Sequence, residues 1–274
     1  MAPTAFEVAS TEMVQFTGES GPVPAYLARP RADGPRPGVV VIHEIFGLTD
    51  HTKDVANRFA REGYVALAPN LFGSPDLSRI LAPEYVDKAR QVLSRLPRRD
   101  PDLAKQEIAK LPEPDRTIVA QTLLAMMGGL PKDRLTQDLV AAVAYLRGQP
   151  GVRGDRIGSV GFCFGGGMSI NLACATDLSA CVLFYGENPS PIERLRNVHA
   201  SVLGLYGADD ARINADLDKL VKAVAELKID FEMRIYPGAP HAFFNDTNST
   251  TYRKASAADA WDRFPRFYGR TLLA

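Results

Sequence analysis

The sequence predicts an α/β fold, a mostly parallel sheet with helices on both faces. Three observations carry that expectation. Apolar runs of strand length alternate with segments of helical period from residue 38 onwards, the order that builds a parallel sheet through helical crossovers. The first run, Gly38-Val39-Val40-Val41-Ile42, is continuously apolar, as a strand buried on both faces must be. The third is the glycine-rich turn Gly161-Phe162-Cys163-Phe164-Gly165-Gly166-Gly167, which joins a strand-like run directly to a helical one.

Residues 38–44 form the first strand read from the pattern. A helix over 50–62 follows, with Val55 and Phe59 four apart and Gly63 as its stop. Residues 64–69 are a second strand. Leu135, Leu139, Val143 and Leu146 give residues 132–148 one apolar helical face. Residues 157–162 are the strand entering the glycine-rich turn, and 165–175 the helix leaving it. Short apolar strands at 180–185 and 201–206 come next. Leu217, Leu220, Val221, Val224 and Leu227 mark a helix over 214–227. Residues 231–236 are the last strand, and 250–272 a terminal helix expected to be interrupted at Pro265.

Residues 70–131 break the alternation. They hold only helical signals, punctuated by Pro75, Pro83, Pro97, Pro101, Pro112, Pro114 and Pro131, so short helices between proline breaks are expected. The segment reads as a helical insertion or partial lid on a single domain of residues 1–274. A stabilising surface excursion is the alternative.

Bulk composition narrows the function classes. With 274 residues, 46% hydrophobic and 23% charged, the chain can bury a sizeable core. Formal net charge is zero and no basic run interrupts the sequence, which argues against nucleic acid or an anionic membrane as partner. No apolar stretch approaches the roughly 18 residues of a membrane span. The start, Met1-Ala2-Pro3-Thr4-Ala5-Phe6-Glu7, lacks the basic and apolar regions of a secretory signal, so a cytoplasmic location is expected. Cys163, Cys174 and Cys181 are too few and odd in number for a disulfide framework, and a reducing compartment suits a catalytic thiol. Nothing in the sequence specifies an oligomeric state.

The turn at Cys163 has the pattern of a nucleophile elbow, the G-x-S-x-G device of α/β-hydrolases with cysteine in the place of serine. Gly161 and Gly165 occupy the positions two residues either side, where a larger side chain would collide with strand or helix. The competing reading is a free cysteine buried as a small hydrophobe. A thiol nucleophile needs a base, and the base needs a group that fixes its tautomer. Four histidines are available: His43, His51, His199 and His241. His241 lies in a loop just past the last strand, where an α/β-hydrolase places its histidine. His51 and His199 read as surface residues, and His43 as a structural or supporting neighbour of Glu44, with an active-site role at the strand end as the alternative. The acid should follow the strand at 201–206, where Asp209 and Asp210 are adjacent. Asp210 is chosen because it lies three after Gly207 and three before the apolar Ile213. Helix capping would account for one of the two aspartates.

Four strings together give the chain a family resemblance: His43-Glu44-Ile45-Phe46-Gly47, Gly161-Phe162-Cys163-Phe164-Gly165-Gly166, Gly207-x-x-Asp210, and Pro240-His241-Ala242-Phe243-Phe244-Asn245-Asp246. It resembles the dienelactone hydrolases, or carboxymethylenebutenolidases, of the α/β-hydrolase superfamily, from about residue 23 to the C-terminus. The resemblance implies Cys163 as nucleophile, His241 as base and Asp210 as its orienting acid. It implies that Glu44 lies near the thiol, helps activate it, and pairs with Cys163 in the resting enzyme. The backbone N–H groups of Ile45 and Phe164 would form the oxyanion hole, Phe164 opening a helix whose N-terminus favours negative charge. A small ester or lactone would then be cleaved through a thioester acyl-enzyme, without metal or organic cofactor.

The chain departs from the family at the residue four after the histidine, where an arginine that holds the substrate carboxylate is replaced by Asn245. Asn245 is therefore a substrate-binding candidate, together with Arg212 among the available cations Arg212, Arg116 and Arg134. Other classes compete with this reading. They are a non-catalytic binding protein of the same fold, a serine-hydrolase-like esterase of unrelated substrate range, and a thiol-based redox protein. The last is disfavoured because no C-x-x-C pair is present.

Overall fold

The computed structural model describes residues 6–96 and 100–273; Pro97 and residues 1–5 of the chain start lie outside them. The described chain forms two compact units. The larger takes residues up to 71 together with 133 onwards, and the smaller takes residues 72–132.

The larger unit is built on one eight-stranded sheet. Its strands are β1 (Val8–Gly18), β2 (Gly21–Pro30), β3 (Arg36–Ile42), β4 (Val65–Pro69), β5 (Val152–Phe162), β6 (Ala180–Phe184), β7 (Ser201–Gly207) and β8 (Phe231–Tyr236). They lie in the order β1-β2-β4-β3-β5-β6-β7-β8. From β4 to β8 every pairing is parallel, and β1 and β2 are joined antiparallel. Among the helices of this unit are α1 (Asp50–Arg61), α6 (Lys132–Arg147), α7 (Phe164–Ala173), α8 (Ala211–Asn214), α9 (Leu217–Glu226) and α10 (Lys254–Thr271); α2 to α5 belong to the smaller unit.

The apolar runs behave as expected of doubly covered strands. Val39, Val40, Val41 and Ile42 have no exposed surface. Val39 and Val41 join a core that includes Val55 and Phe59 of α1 and Phe264 and Tyr268 of α10. On the opposite face, a side chain at Gly38 would meet Leu146 of α6. Full burial of each apolar side chain is worth about 1.5–3 kcal/mol, so these runs fix the centre of the sheet.

Two strands went unread in the sequence. In β1 only Phe16 is buried, so the strand shows almost no apolar face. In β2 Pro22, Pro24 and Pro30 obscure the pattern, since proline cannot donate to a ladder and demotes a strand. The hairpin is pinned instead by its turn. The backbone N–H and hydroxyl of Ser20 donate to the carboxylate of Asp138, a buried α6 residue, at 2.9 and 2.5 Å.

The terminal helix corrects another expectation. α10 runs through Pro265 without a break. An interior proline costs about 3 kcal/mol, and the buried aromatic face around it offsets that. Phe264, Phe267 and Tyr268 are all buried, Phe264 packs 5.3 Å from Phe59 and from Trp261, and the Tyr268 hydroxyl donates to the Ser159 carbonyl at 2.9 Å.

In the smaller unit, α2 (Pro75–Ile80), α3 (Pro83–Ser94) and α4 (Pro101–Ala109) each begin on proline. Proline's missing N–H costs nothing at that position. A fourth helix, α5 (Glu113–Leu124), carries Pro114 in its first turn. Ala89, Val92, Leu96, Val119 and Leu123 make this unit's own core, and Lys88 pairs with Asp115 at 2.6 Å. No described helix is long and apolar enough to cross a membrane.

The sheet topology fixes where chemistry can sit. The chain leaves β3 outwards to β4, then crosses back to place β5 on the other side of β3. A crevice opens at such a switch point, outside the C-terminal ends of the strands.

Candidate active site

Cys163 stands at that point, between the end of β5 and the start of α7, with φ 56° and ψ −116°. A left-handed φ at a non-glycine residue costs roughly 1–3 kcal/mol and needs support. Its support is the backbone: Cys163 N donates to Phe184 O at 3.0 Å, and Gly166 N to Cys163 O at 2.9 Å. The flanking glycines are obligatory for the reason the sequence suggested. A side chain at Gly161 would overlap the Gly165 carbonyl, and one at Gly165 would lie 2.5 Å from the His43 carbonyl oxygen. The strained turn leaves the thiol partly exposed at its tip.

His241 reaches that thiol from the loop after β8. Its Nε2 is 3.0 Å from Cys163 Sγ, and its Nδ1 is 2.5 Å from Asp210 Oδ2. Asp210 follows β7, is buried, and also caps α8 by accepting from Ile213 N at 3.4 Å. It thus fills both the capping role and the contact with the imidazole. Asp209 is exposed. Burial by itself lowers the His241 pKa, but the hydrogen bonds to Asp210 and Cys163 outweigh it and push the value up to about 10. The Asp210 carboxylate and the Cys163 sulfur on its two nitrogens thus favour the protonated imidazole.

Glu44 lies two residues beyond the end of β3, buried, at the same edge of the sheet. The thiol is taken by His241, and Glu44 Oε2 accepts from the Asn245 amide at 2.5 Å. Asn245 itself is 7% exposed. Its Oδ1 accepts from Thr247 N at 3.0 Å and from Thr247 Oγ1 at 2.6 Å. Both ends of the amide thus have partners inside the protein. Arg212, the other binding candidate, pairs with Glu187 at 2.5 Å and is largely exposed.

The two proposed oxyanion donors differ in setting. Phe164 is the first residue of α7, in the turn whose N–H groups point out of the helix. Ile45 follows Glu44 in the loop after β3 and is partly exposed. His43 is structural. Fully buried, it accepts from Leu71 N at Nε2 over 3.1 Å and donates from Nδ1 to Glu44 O over 2.6 Å. Burial drives its pKa down to about 4, so it is a neutral imidazole that ties the Glu44 loop to the chain after β4.

Some residues escaped the sequence reading. Tyr185, immediately after β6, is fully buried with φ 39°, and its ring packs 5.0 Å from that of His241. Burial, then the charges of Glu44 and Cys163, raise its pKa well above the ordinary value. Nothing in Phe184-Tyr185-Gly186 distinguishes it from a core strand end. His51, expected at the surface, is buried and 3.2 Å from Asp246. Asp246 also takes Arg58 at 2.6 Å, which fastens the His241 loop to α1. The i, i+7 spacing of His51 and Arg58 on one helix was the available signal. His199 is exposed, as expected.

A parallel sheet with a strained elbow, and with an imidazole between a thiol and a buried aspartate beyond its strand ends, defines an α/β-hydrolase. A model of the Dienelactone hydrolase family matches residues 23–272. A provisionally named carboxymethylenebutenolidase of Saccharolobus solfataricus is 36% identical over 258 residues, covering 93% of this chain and 96% of that protein. One of Escherichia coli K12 is 31% identical over 272 residues, covering 92% and 85%. Among solved structures, a provisionally named dienelactone hydrolase from Klebsiella pneumoniae superposes with TM-score 0.70 at 28% identity, covering 95% and 98%. A dienelactone hydrolase-like promiscuous phosphotriesterase from metagenomic libraries shares the fold, with TM-score 0.74 at 24% identity, covering 96% and 98%. The chain belongs to the dienelactone hydrolase family, and it is a dienelactone hydrolase-like ester hydrolase.

Proposed function

We propose that the chain hydrolyses a small ester or lactone through a thioester on Cys163, with His241 as the proton carrier and Asp210 as its orienting acid. The observation that carries this reading is the unbroken line Asp210 Oδ2, His241 Nδ1, His241 Nε2, Cys163 Sγ, at 2.5 and 3.0 Å. A base within hydrogen-bond reach of the nucleophile and itself oriented by a third group is the requirement for nucleophilic acyl transfer.

The steps follow from that line. The Cys163 sulfur, as thiolate beside the His241 imidazolium, attacks the carbonyl carbon, and the π pair moves onto the carbonyl oxygen. The oxyanion is met by the Ile45 and Phe164 N–H groups, the second reinforced by the N-terminus of α7. Collapse expels the alkoxide, which takes the proton from His241 Nε2, leaving the acyl group on sulfur. In a lactone the alcohol stays tethered to that acyl group. The now neutral imidazole takes a proton from water, and the hydroxide attacks the thioester. Expulsion of the thiolate releases the acid and restores the resting pair. Glu44 borders this path, and Tyr185 limits how far the imidazole can turn.

Incubation with a slowly deacylating activated ester, acid quench and peptide mass mapping tests the reading. The expected result is a single acyl group on Cys163, since burial pushes the Cys174 and Cys181 thiols up to about 12 and about 11. Acylation elsewhere, with Cys163 unmodified, overturns it.

A further inference from the structure

The sheet ends on β8, and among the described residues no strand lies beyond it. The inner edge of β8 is used by the chain beside it: Asp230 O accepts from Val202 N at 2.8 Å, and Tyr236 O from Ala208 N at 2.9 Å. In a parallel ladder, alternate residues direct both backbone groups to the same neighbour. Glu232 and Arg234 therefore face β7 through their backbone, while Phe231, Met233 and Ile235 turn N–H and C=O to the open edge. Side chains alternate in the same rhythm. Glu232 pairs with Arg270 of α10, and the Tyr236 hydroxyl donates to Asp259 of α10 at 2.9 Å, so the even positions lie on one face. Phe231, Met233 and Ile235 share the other, where Met233 and Ile235 are exposed. Val221 and Leu227, on the helical segment that leads into β8, are exposed as well. The opposite edge of the sheet differs. Among large apolar side chains, β1 exposes Met13 alone.

An open strand edge with an apolar face is a template for another strand. The charges decide which strand fits. Outward backbone groups must meet outward backbone groups, so an antiparallel copy of β8 pairs only odd positions with odd and even with even. Centred on Met233, that pairing sets Met233 against its own copy, Phe231 against Ile235, and Glu232 against Arg234 on both sides of the centre. Moving the centre by one residue sets either Arg234 against Arg234 or Glu232 against Glu232, and like charges directly opposite are unfavourable. The strand is thus its own complement in one register. We propose that β8 is a self-pairing edge, through which two copies of this chain join antiparallel about a twofold axis at Met233 into one continuous sheet. Such a contact uses the same patch on both copies, so it closes at a dimer. The two strands run in opposite directions, which places the two Cys163 sites at opposite edges of the joined sheet. The inference is independent of the chemistry at Cys163.

The test is sedimentation velocity on the full chain across a concentration series. A six-residue strand edge is a small contact, so the wild type should pass from monomer to dimer between about 1 and 200 μM. Glu232→Arg and Arg234→Glu each oppose like charges on both sides of the axis, and each should raise the dimer dissociation constant at least about tenfold. Mixed in equal amounts, these two variants present opposite charges and should associate again as a heterodimer. The double variant, with both charges exchanged, should dimerise as the wild type does. Met233→Pro removes an outward N–H that β7 does not use and should be monomeric. Should it not fold, the charge variants carry the test, since both side chains they replace are exposed; circular dichroism confirms the fold of each. A wild type that stays monomeric throughout the series overturns the proposal. So does a dimer indifferent to either charge reversal, or a pair of single variants that fails to associate on mixing.

Discussion

Ile42 of β3 is paired with Gly161 of β5 in parallel register, and this one pairing brings the site together. Two residues further along, each strand releases a functional side chain, Glu44 from one and Cys163 from the other. Gly165 then packs so closely under the β3 end that a methyl group would strike the His43 carbonyl. The separation of the two backbones that carry the carboxylate and the thiol is thus fixed by the sheet, and His241 and Asn245 reach the two side chains from a single loop.

Cys163→Ala should abolish turnover with the fold intact. The thiol is partly exposed at the tip of the elbow and packs only against the edge of the core, so the loss of stability should stay at about 1 kcal/mol. Loss of a triad nucleophile costs on the order of 10⁴-fold or more in kcat. Steady-state assay and urea denaturation of the purified variant check both halves. More than a tenth of wild-type activity would remove Cys163 from its role.

The adjacent aspartates should separate cleanly. Asp210→Asn keeps a hydrogen bond to His241 but withdraws the charge that holds its proton, lowering kcat by roughly 10³- to 10⁴-fold. The alkaline limit of activity should move down, since Asp210 is one of the two partners that raise the His241 pKa to about 10. Asp209→Asn, at an exposed position, should change kcat by less than about threefold. The paired pH–rate profiles decide it, and a mild Asp210→Asn would mean that the imidazole is oriented by another group.

Much of this was legible in the sequence, for physical reasons that also mark its limits. The continuous run ending at Ile42 announces a strand covered on both faces because solvent leaves no alternative, and Gly161 and Gly165 announce the elbow because nothing larger fits. The spacing from Gly207 to Ile213 singles out Asp210 because the aspartate must cap α8 and meet the imidazole at once. The β1–β2 hairpin was hidden because its register is held by Ser20 against Asp138, a contact across 118 positions that leaves no local pattern. The contact of Asn245 with Glu44 spans 201 positions and leaves no local pattern either. His51 was misplaced at the surface for a similar reason: its partner, Asp246, is 195 residues away.

Substrate charge tests the role of Arg212. Its guanidinium is already paired with Glu187 at a largely exposed position, and such pairs are worth about 0–1 kcal/mol. Arg212→Gln should therefore alter kcat/KM by less than about fivefold for a neutral ester and for an anionic lactone of similar size alike. With Asn245 turned to Glu44, the wild type should favour the neutral substrate. Kinetics on the two substrates, in wild type and variant, at low and moderate salt, provide the check. A loss confined to the anion and erased by salt would place Arg212 in the binding site after all.

Stability should depend on pH through His43. In the unfolded chain its imidazole takes a proton near pH 6.5, whereas in the folded protein burial delays that to about 4. Between those values the unfolded state binds more protons, so the free energy of unfolding falls as pH falls. The contribution is fully present above about pH 6.5, is lost progressively towards pH 4, and amounts to about 3 kcal/mol. His51, whose pKa burial also lowers, works in the same direction. His241, whose pKa is raised to about 10, works in the opposite one: its contribution is present below pH 6.5 and lost as pH rises towards 10. His43→Asn keeps a donor that can reach Glu44 O, gives up the acceptor for Leu71 N, and does not titrate. It should be somewhat less stable at pH 7, through imperfect packing, and should lose most of the slope between pH 6.5 and 4. Urea unfolding of both proteins at pH 7, 5.5 and 4.5 measures that slope directly. Equal slopes would show that His43 is protonated in the folded state, and the neutral bridge between the Glu44 carbonyl and Leu71 could not then stand.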